Sequence, residues 1–273
     1  QALPFLVLGV LVSGAITALV SPAVLERLLP RSALLAVPSA ALAGTALPGC
    51  ECASVPVAGR LAARGVQPAA AVAFMLAAPA VNPIVLVATA VAFPGQPQMV
   101  LARFLGSLLT SIAVGLVWWR VGGDAWVERV RSRVAGASDP RWPAFSSAAR
   151  HDLWDAGGWL VVGAAAAATL QVLVPRSLLL AVADHPALSV LVMGGLAVLL
   201  AICSEADAFV AASLREFSLT ARLVFLVVGP AVDVKLIAMQ SGVFGRRFAA
   251  RFAPLTFGVA VACALVVGQV VLR

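Results

Sequence analysis

Two short stretches of this chain carry residue types that could do chemistry. "LPGCECASVP" (47–56) sets Cys50 and Cys52 on either side of Glu51, and "CSEADAF" (203–209) gathers Cys203, Ser204, Glu205 and Asp207. Downstream of each lies a second polar group: Asn82 follows Pro79, and Asp233 and Lys235 follow Pro230. Thiolates prefer soft ions, so Cys50 and Cys52 are candidate ligands for a soft metal or metalloid. Carboxylates held away from water resist ionisation, which makes Glu51, Glu205 and Asp207 candidate proton carriers. Four acids, Glu51, Glu205, Asp207 and Asp233, face one base, Lys235, so full ionisation leaves an excess of three negative charges. Such a site suits a cation, a neutral solute or proton coupling, and disfavours a free anion. The candidate substrate-binding set is Cys50, Glu51, Cys52, Asn82, Cys203, Glu205, Asp207, Asp233 and Lys235.

Plainer readings stand beside these. Asp207 and Lys235 could be a buried ion pair joining two helices. Cys203 could be a packing residue, and Cys263, with no polar neighbour, is expected to be one. C-x-C by itself occurs in many contexts. His185, next to Asp184, reads as a solvated loop residue.

The surroundings make these residues unusual. The chain has 273 residues, of which 62% are hydrophobic and 11% charged, with a mean hydropathy of +1.03. Soluble domains carry roughly 25% charged residues. The expected class is an all-α polytopic membrane protein; long continuous apolar runs, rather than short alternating ones, argue against a β-barrel. The net charge of +7 is almost all arginine, since Lys235 is the only lysine. The arginines fall between apolar runs, a pattern that points to membrane topology and headgroup contact, not nucleic acid. Dispersed cysteines in apolar context argue against a disulfide scaffold.

Apolar runs at 4–20, 69–93, 101–119, 157–174, 218–240 and 254–271 approach the ~20 residues a bilayer requires. Residues 2–20 lack a signal-type cleavage pattern and read as a first span. Two further stretches are interrupted: 33–62 at Pro48-Gly49, and 186–214 around Cys203 to Asp207. The polar segment 122–155 holds Arg129, Arg131, Arg133, Arg141 and Arg150, with tryptophans around it as at a membrane interface. It divides the chain into a membrane repeat 1 (1–121), a central cytoplasmic basic loop (122–155) and a membrane repeat 2 (156–273).

The repeat rests on four landmarks in the same order. "PRSALLAV" (30–37) returns as "PRSLLLAV" (175–182); Cys52 falls on Cys203; "AFMLAAPAVNPIVL" (73–86) aligns with "VFLVVGPAVDVKLI" (224–237); and "ARF" (102–104) returns at 250–252. If each interrupted stretch enters and leaves the membrane on one side, each half has about three spans plus a broken, re-entrant hairpin, and the halves are inverted. If it crosses, the halves are parallel with four spans each. In the inverted arrangement 13 arginines fall inside and 5 outside (Arg103, Arg176, Arg215, Arg222 and Arg273); in the parallel one the division is 11 to 7. The positive-inside rule favours inversion. Duplicated helix breaks at corresponding positions are a sequence pointer to a transporter's site, and Pro48, Gly49, Pro56, Pro79, Pro83, Gly229 and Pro230 are the candidate hinges.

Residues 47–93 resemble the predicted permease family that includes the organoarsenical efflux permease ArsP and the YraQ-like permeases. The family pattern, P-x-C-x-C-x-x-x-P, a basic turn, then A-x-P-x-x-N-P, falls on Pro48, Cys50, Cys52, Pro56, Pro79, Asn82 and Pro83. In the second half Cys203, Asp207, Gly229, Pro230, Asp233 and Lys235 fall on the motif, and the likeness covers nearly the whole chain. It implies a multi-pass permease of the bacterial plasma membrane. The arsenical-exporting members move trivalent organoarsenicals through cysteine contacts, and some members work with a second subunit. Glu51 departs from the pattern, standing where a small polar residue is common.

The expected partners are the lipid bilayer, a small solute, and a second permease subunit or further copies of the chain; no cofactor and no nucleic acid are expected. An intramembrane enzyme is the weaker reading. No G-x-S-x-G or H-E-x-x-H occurs, and the two histidines, His151 and His185, lie in predicted loops. No G-x-x-x-x-G-K-[ST] is present either.

Overall fold

The computed structural model of the chain describes residues 32–45, 51–123, 125–134, 186–204 and 206–272, together with isolated positions between 7 and 165. Within these, every element is an α-helix. Apart from those isolated positions, the expected runs at 4–20 and 157–174 and the match at 175–182 lie outside the described residues, as do Pro48, Gly49, Cys50, Glu205, His151 and His185.

The first part of the chain forms α1 (Ala33–Gly44), α2 (Glu51–Ala63), α3 (Pro68–Ala80), α4 (Pro83–Ala92) and α5 (Pro97–Val121). Helix α6 (Ala125–Val134) follows, and then α7 (Pro186–Leu200), α8 (Asp207–Ser213), α9 (Leu219–Ala231), α10 (Val234–Val243) and α11 (Arg246–Val271). Four stretches are long and apolar enough to cross a membrane: Pro68–Ala92, Pro97–Val121, Leu219–Val243 and Arg246–Val271. The first contains α3 and α4, and the third contains α9 and α10.

Helices α3 and α9 form the centre. In α3 only Pro68 and Phe74 are not fully buried, and in α9 nothing from Leu223 to Ala231 reaches the surface. A helix that is apolar on all sides is buried on all sides. The alanines of α3 leave room for close neighbours, the usual basis of helix packing in lipid. Helix α1 packs on α3, α7 packs on α9, and α5 and α11 pack on each other and on the central pair. At Gly115 of α5 an added Cβ would lie 2.8 Å from Val37 and 3.0 Å from Ala73, so α5 reaches α1 and α3 only because no side chain intervenes. The outward faces carry Leu34, Leu35, Val87, Leu101, Leu109, Val266 and Val270. An apolar exterior around a polar interior is what a bilayer demands.

Helices α2 and α3 form a tight hairpin. Gly65 takes φ +97°, and the turn lets the Val66 N–H reach back to the Leu61 carbonyl at 3.0 Å. Pro68 then starts α3, where its missing N–H is not needed. Helix α6 lies in the basic 122–155 segment. It packs on α2, with Val130 3.6 Å from a Cβ built on Gly59, and turns Arg129 and Arg131 outward.

Candidate functional site

Both broken spans fail at the same place. Asn82 and Asp233 are each the fifteenth of 25 residues in their spans. Pro79 and Pro230 lie near the ends of α3 and α9. A proline inside a helix removes a backbone donor and crowds the carbonyl four residues back. The chain then extends and starts a new helix. Asn82 caps α4 by accepting the Val85 N–H at 3.0 Å, and Asp233 caps α10 by accepting the Leu236 N–H at 2.6 Å. At the candidate hinges Pro79 and Pro230 the helices thus break completely, and each break is closed by an Asx cap. The two caps differ in one respect. The Asn82 amide donates to the Ala78 carbonyl at 3.1 Å, bridging its own break. Asp233 cannot donate, and its second oxygen instead lies 3.7 Å from Lys235 Nζ.

A buried charge network surrounds these breaks. Lys235 Nζ donates to Glu51 Oε1 at 2.9 Å, and Ser204 Oγ donates to Glu51 Oε2 at 3.1 Å. Arg103 Nη2 donates to Asp207 Oδ2 at 2.8 Å and to the Ser204 carbonyl at 3.0 Å. Arg103 Nη1 donates to Thr89 Oγ1 at 2.8 Å, and Thr89 donates to the Val85 carbonyl at 2.7 Å. Glu51, Arg103, Ser204, Asp207, Asp233 and Lys235 are at most 5% exposed. The pairing is reciprocal: the early half supplies Arg103 to Asp207, and the late half supplies Lys235 to Glu51. Helix contacts follow the same exchange, with α2 against α10 and α4 against α8. Ser204 touches both pairs, through its carbonyl and through its hydroxyl.

A family profile described as a predicted permease, ArsP_1, matches residues 1–269. The chain belongs to this predicted permease family. The chain is 36% identical over 254 residues to UPF0718 protein YcgR of Bacillus subtilis (strain 168), spanning 91% of this chain and 86% of that one. It is 30% identical over 275 residues to a Streptococcus mutans serotype c protein (strain ATCC 700610 / UA159), spanning 98% and 91%. That protein is named "Putative two-component membrane permease complex subunit". No solved structure matches the chain.

The network changes three expectations drawn from sequence. Asp207 does not pair with Lys235; it pairs with Arg103, while Lys235 takes Glu51. Arg103 does not sit at an outer surface, since its exposure is 0%. It therefore has no vote in the positive-inside count, and it lowers the expected excess of negative charge from three to two. The missed signal was a stripe. Arg103, Ser107, Thr110 and Ser111 recur at helical spacing on the buried face of α5, and a polar stripe within an apolar span must face protein.

Of the remaining predicted residues, Cys203 is half-buried, with its sulfur 4.0 Å from Lys235 Nζ. Cys52 lies in the first turn of α2, Pro56 is inside that helix, Pro83 starts α4, and Gly229 sits 3.9 Å from Asp207 Oδ2, measured from a Cβ built on it. Cys50 and Glu205 are outside the described residues, and so is the Cys52 side chain. Among the described residues no three His, Cys, Asp or Glu side chains group as metal ligands. Cys263 is a free thiol.

Proposed function

We propose that this permease moves a small solute through a site near the membrane midplane, where the two Asx-capped breaks and the starts of α2 and α8 meet. The observation that carries this reading is the reciprocal exchange of buried charges between Glu51 and Lys235 and between Arg103 and Asp207. Charges within apolar spans are costly, and they are retained where a path for a solute or proton needs them. Asp207 Oδ1 and Asp233 Oδ2 lack hydrogen-bond partners among the described residues, which leaves acceptors for an arriving cation or proton.

The reading includes two inverted repeats. Its support is that α1 to α5 and α7 to α11 follow each other in the same order, with breaks at equal depth and packing partners in corresponding pairs. Over their described lengths, 12 residues in α1 and 13 in α2, each helix rises only about 20 Å, against about 30 Å of hydrocarbon. Helices that short suit a hairpin that enters and turns back.

The solute class that suits the site is a soft metal ion or a trivalent (organo)arsenical, exported across a bacterial plasma membrane. The thiols of Cys50 and Cys52, by their place in the sequence, and of Cys203, beside Lys235, are the support. Glu51 and Asp207 would carry protons. The second reading, membrane subunit of a multi-component permease, is favoured by the name of the streptococcal relative.

The test is reconstitution of the purified chain into liposomes, with flux of a soft metal ion and of a trivalent methylated arsenical followed separately. Flux by the chain alone, lost in Cys50→Ala and in Cys52→Ala, supports the thiol site. Flux unchanged in both variants sinks it. Flux that appears only when a second protein is added moves the conclusion to the subunit reading.

A further inference from the structure

Away from the buried network, a cleft of about 880 Å³ opens where α5 ends, α6 begins and α10 turns into α11. Four arginines line it: Arg129 from α6, and Arg246, Arg247 and Arg251 from the first turns of α11. All four are exposed, and none has an ion-pair partner among the described residues. Arg129 comes within 3.5 Å of a Cβ built on Gly245, so its side chain lies along the N-terminus of α11. Gly245 has φ +104°, a conformation that turns the chain sharply out of α10 and presents the first N–H groups of a 26-residue helix. Such an end favours an anion, and four guanidinium groups beside it strengthen the preference.

Two further features narrow the ligand. Trp118 and Trp126 line the same cleft, are 95% or more buried, and have indole N–H groups without an acceptor among the described residues. Trp118 packs edge-on against Phe248 and Trp126 edge-on against Phe244, with Phe244 and Phe248 themselves in contact, giving the basic cleft an apolar floor. The cleft also sits at the ends of two candidate spans, Pro97–Val121 and Arg246–Val271, and so at the level of headgroups. The start of α5 has no such cluster: from Pro97 to Ala102 it carries no basic residue.

We propose that this cleft binds the phosphate of an anionic phospholipid, with the arginines and the α11 N-terminus around the phosphate and the aromatic floor beneath the glycerol and upper acyl carbons. The site is separate from the solute site and does not depend on it.

Native mass spectrometry of the full chain, released from detergent with phosphatidylglycerol or phosphatidylethanolamine, tests this. The wild type is expected to retain phosphatidylglycerol in preference to phosphatidylethanolamine. Arg246→Gln with Arg247→Gln should lose that retention by about fivefold per arginine. Arg129→Gln, on a different helix, should act in the same direction, whereas Arg215→Gln should leave retention unchanged. Equal retention by wild type and cleft variants overturns the proposal, and so does equal retention of the two lipids. Displacement of phosphatidylglycerol by millimolar inorganic phosphate, with the same arginine dependence, would make the cleft a free-phosphate site and overturn the lipid assignment. If the double variant does not elute as a folded species, Arg129→Gln alone decides.

Discussion

Lys235 Nζ lies 2.9 Å from Glu51 Oε1, although the two residues are 184 positions apart. This contact holds the start of α2 against the start of α10, and it is matched in reverse by Arg103 and Asp207, 104 positions apart, at 2.8 Å. Each half of the chain thus neutralises a carboxylate of the other. The arrangement explains how a span broken at its middle can be stable: the freed ends are capped locally, and the charges brought with them are paired across the halves.

Removing one partner of the Glu51–Lys235 pair leaves a charge without its partner in the interior, at a cost of about 3–5 kcal/mol. We expect Glu51→Gln and Lys235→Met each to lower the unfolding temperature in detergent substantially. The double variant should recover much of the loss. A double-mutant cycle on thermal unfolding measures the coupling, and additive effects would contradict the pairing.

Arg103→Lys is not conservative here. The guanidinium serves Asp207, the Ser204 carbonyl and Thr89 together, and a single ammonium on a shorter reach cannot hold all three. The variant should be less stable than wild type and slower in flux. Arg120→Lys, on the same helix but exposed, should be near neutral. Equal behaviour of the two variants in unfolding and flux assays would contradict the buried role of Arg103.

The two Asx caps should respond differently. Asn82→Ala removes a helix cap, worth about 1 kcal/mol, and a bond to Ala78. Asp233→Ala removes a cap and also a carboxylate near Lys235, so it should destabilise more. Asp233→Asn keeps the cap acceptor and should fall between Asp233→Ala and wild type. Denaturation midpoints in one detergent would rank the three.

Gly115→Val puts a branched side chain where even a Cβ meets Val37 at 2.8 Å. Overpacking of this kind costs about 1–3 kcal/mol. Gly258→Val, with open space around it, should be tolerated far better. Comparing expression and unfolding temperature of the two checks how close α5 lies to α1.

The inverted arrangement makes a topological prediction. Cysteines introduced as Arg27→Cys, Arg64→Cys and Arg247→Cys should all react with a membrane-impermeant thiol reagent from one side of sealed vesicles. Labelling of Arg64→Cys from the side opposite to the other two would contradict re-entry of the 33–62 stretch.

The sequence by itself determined the all-helical membrane class and the family, and it marked Pro79 and Pro230 as candidate hinges, while the complete breaks at Asn82 and Asp233 came with the structure. Hydropathy fixes which stretches can span, and Pro79, Asn82 and Pro230, Asp233 act through backbone chemistry confined to a few neighbouring residues. Those are local effects, and local effects are legible in one dimension. The partners of the charges were not. Asp207 and Lys235 could have paired by charge alone, and Arg103 resembled an interfacial arginine because its flanks are apolar. Only the packing of α4 on α8 and of α2 on α10 decides that Arg103 goes to Asp207 and Lys235 goes to Glu51. The physical reason is distance: an ion pair forms between groups a few ångströms apart in space, and the order of residues along the chain does not encode which helices will meet.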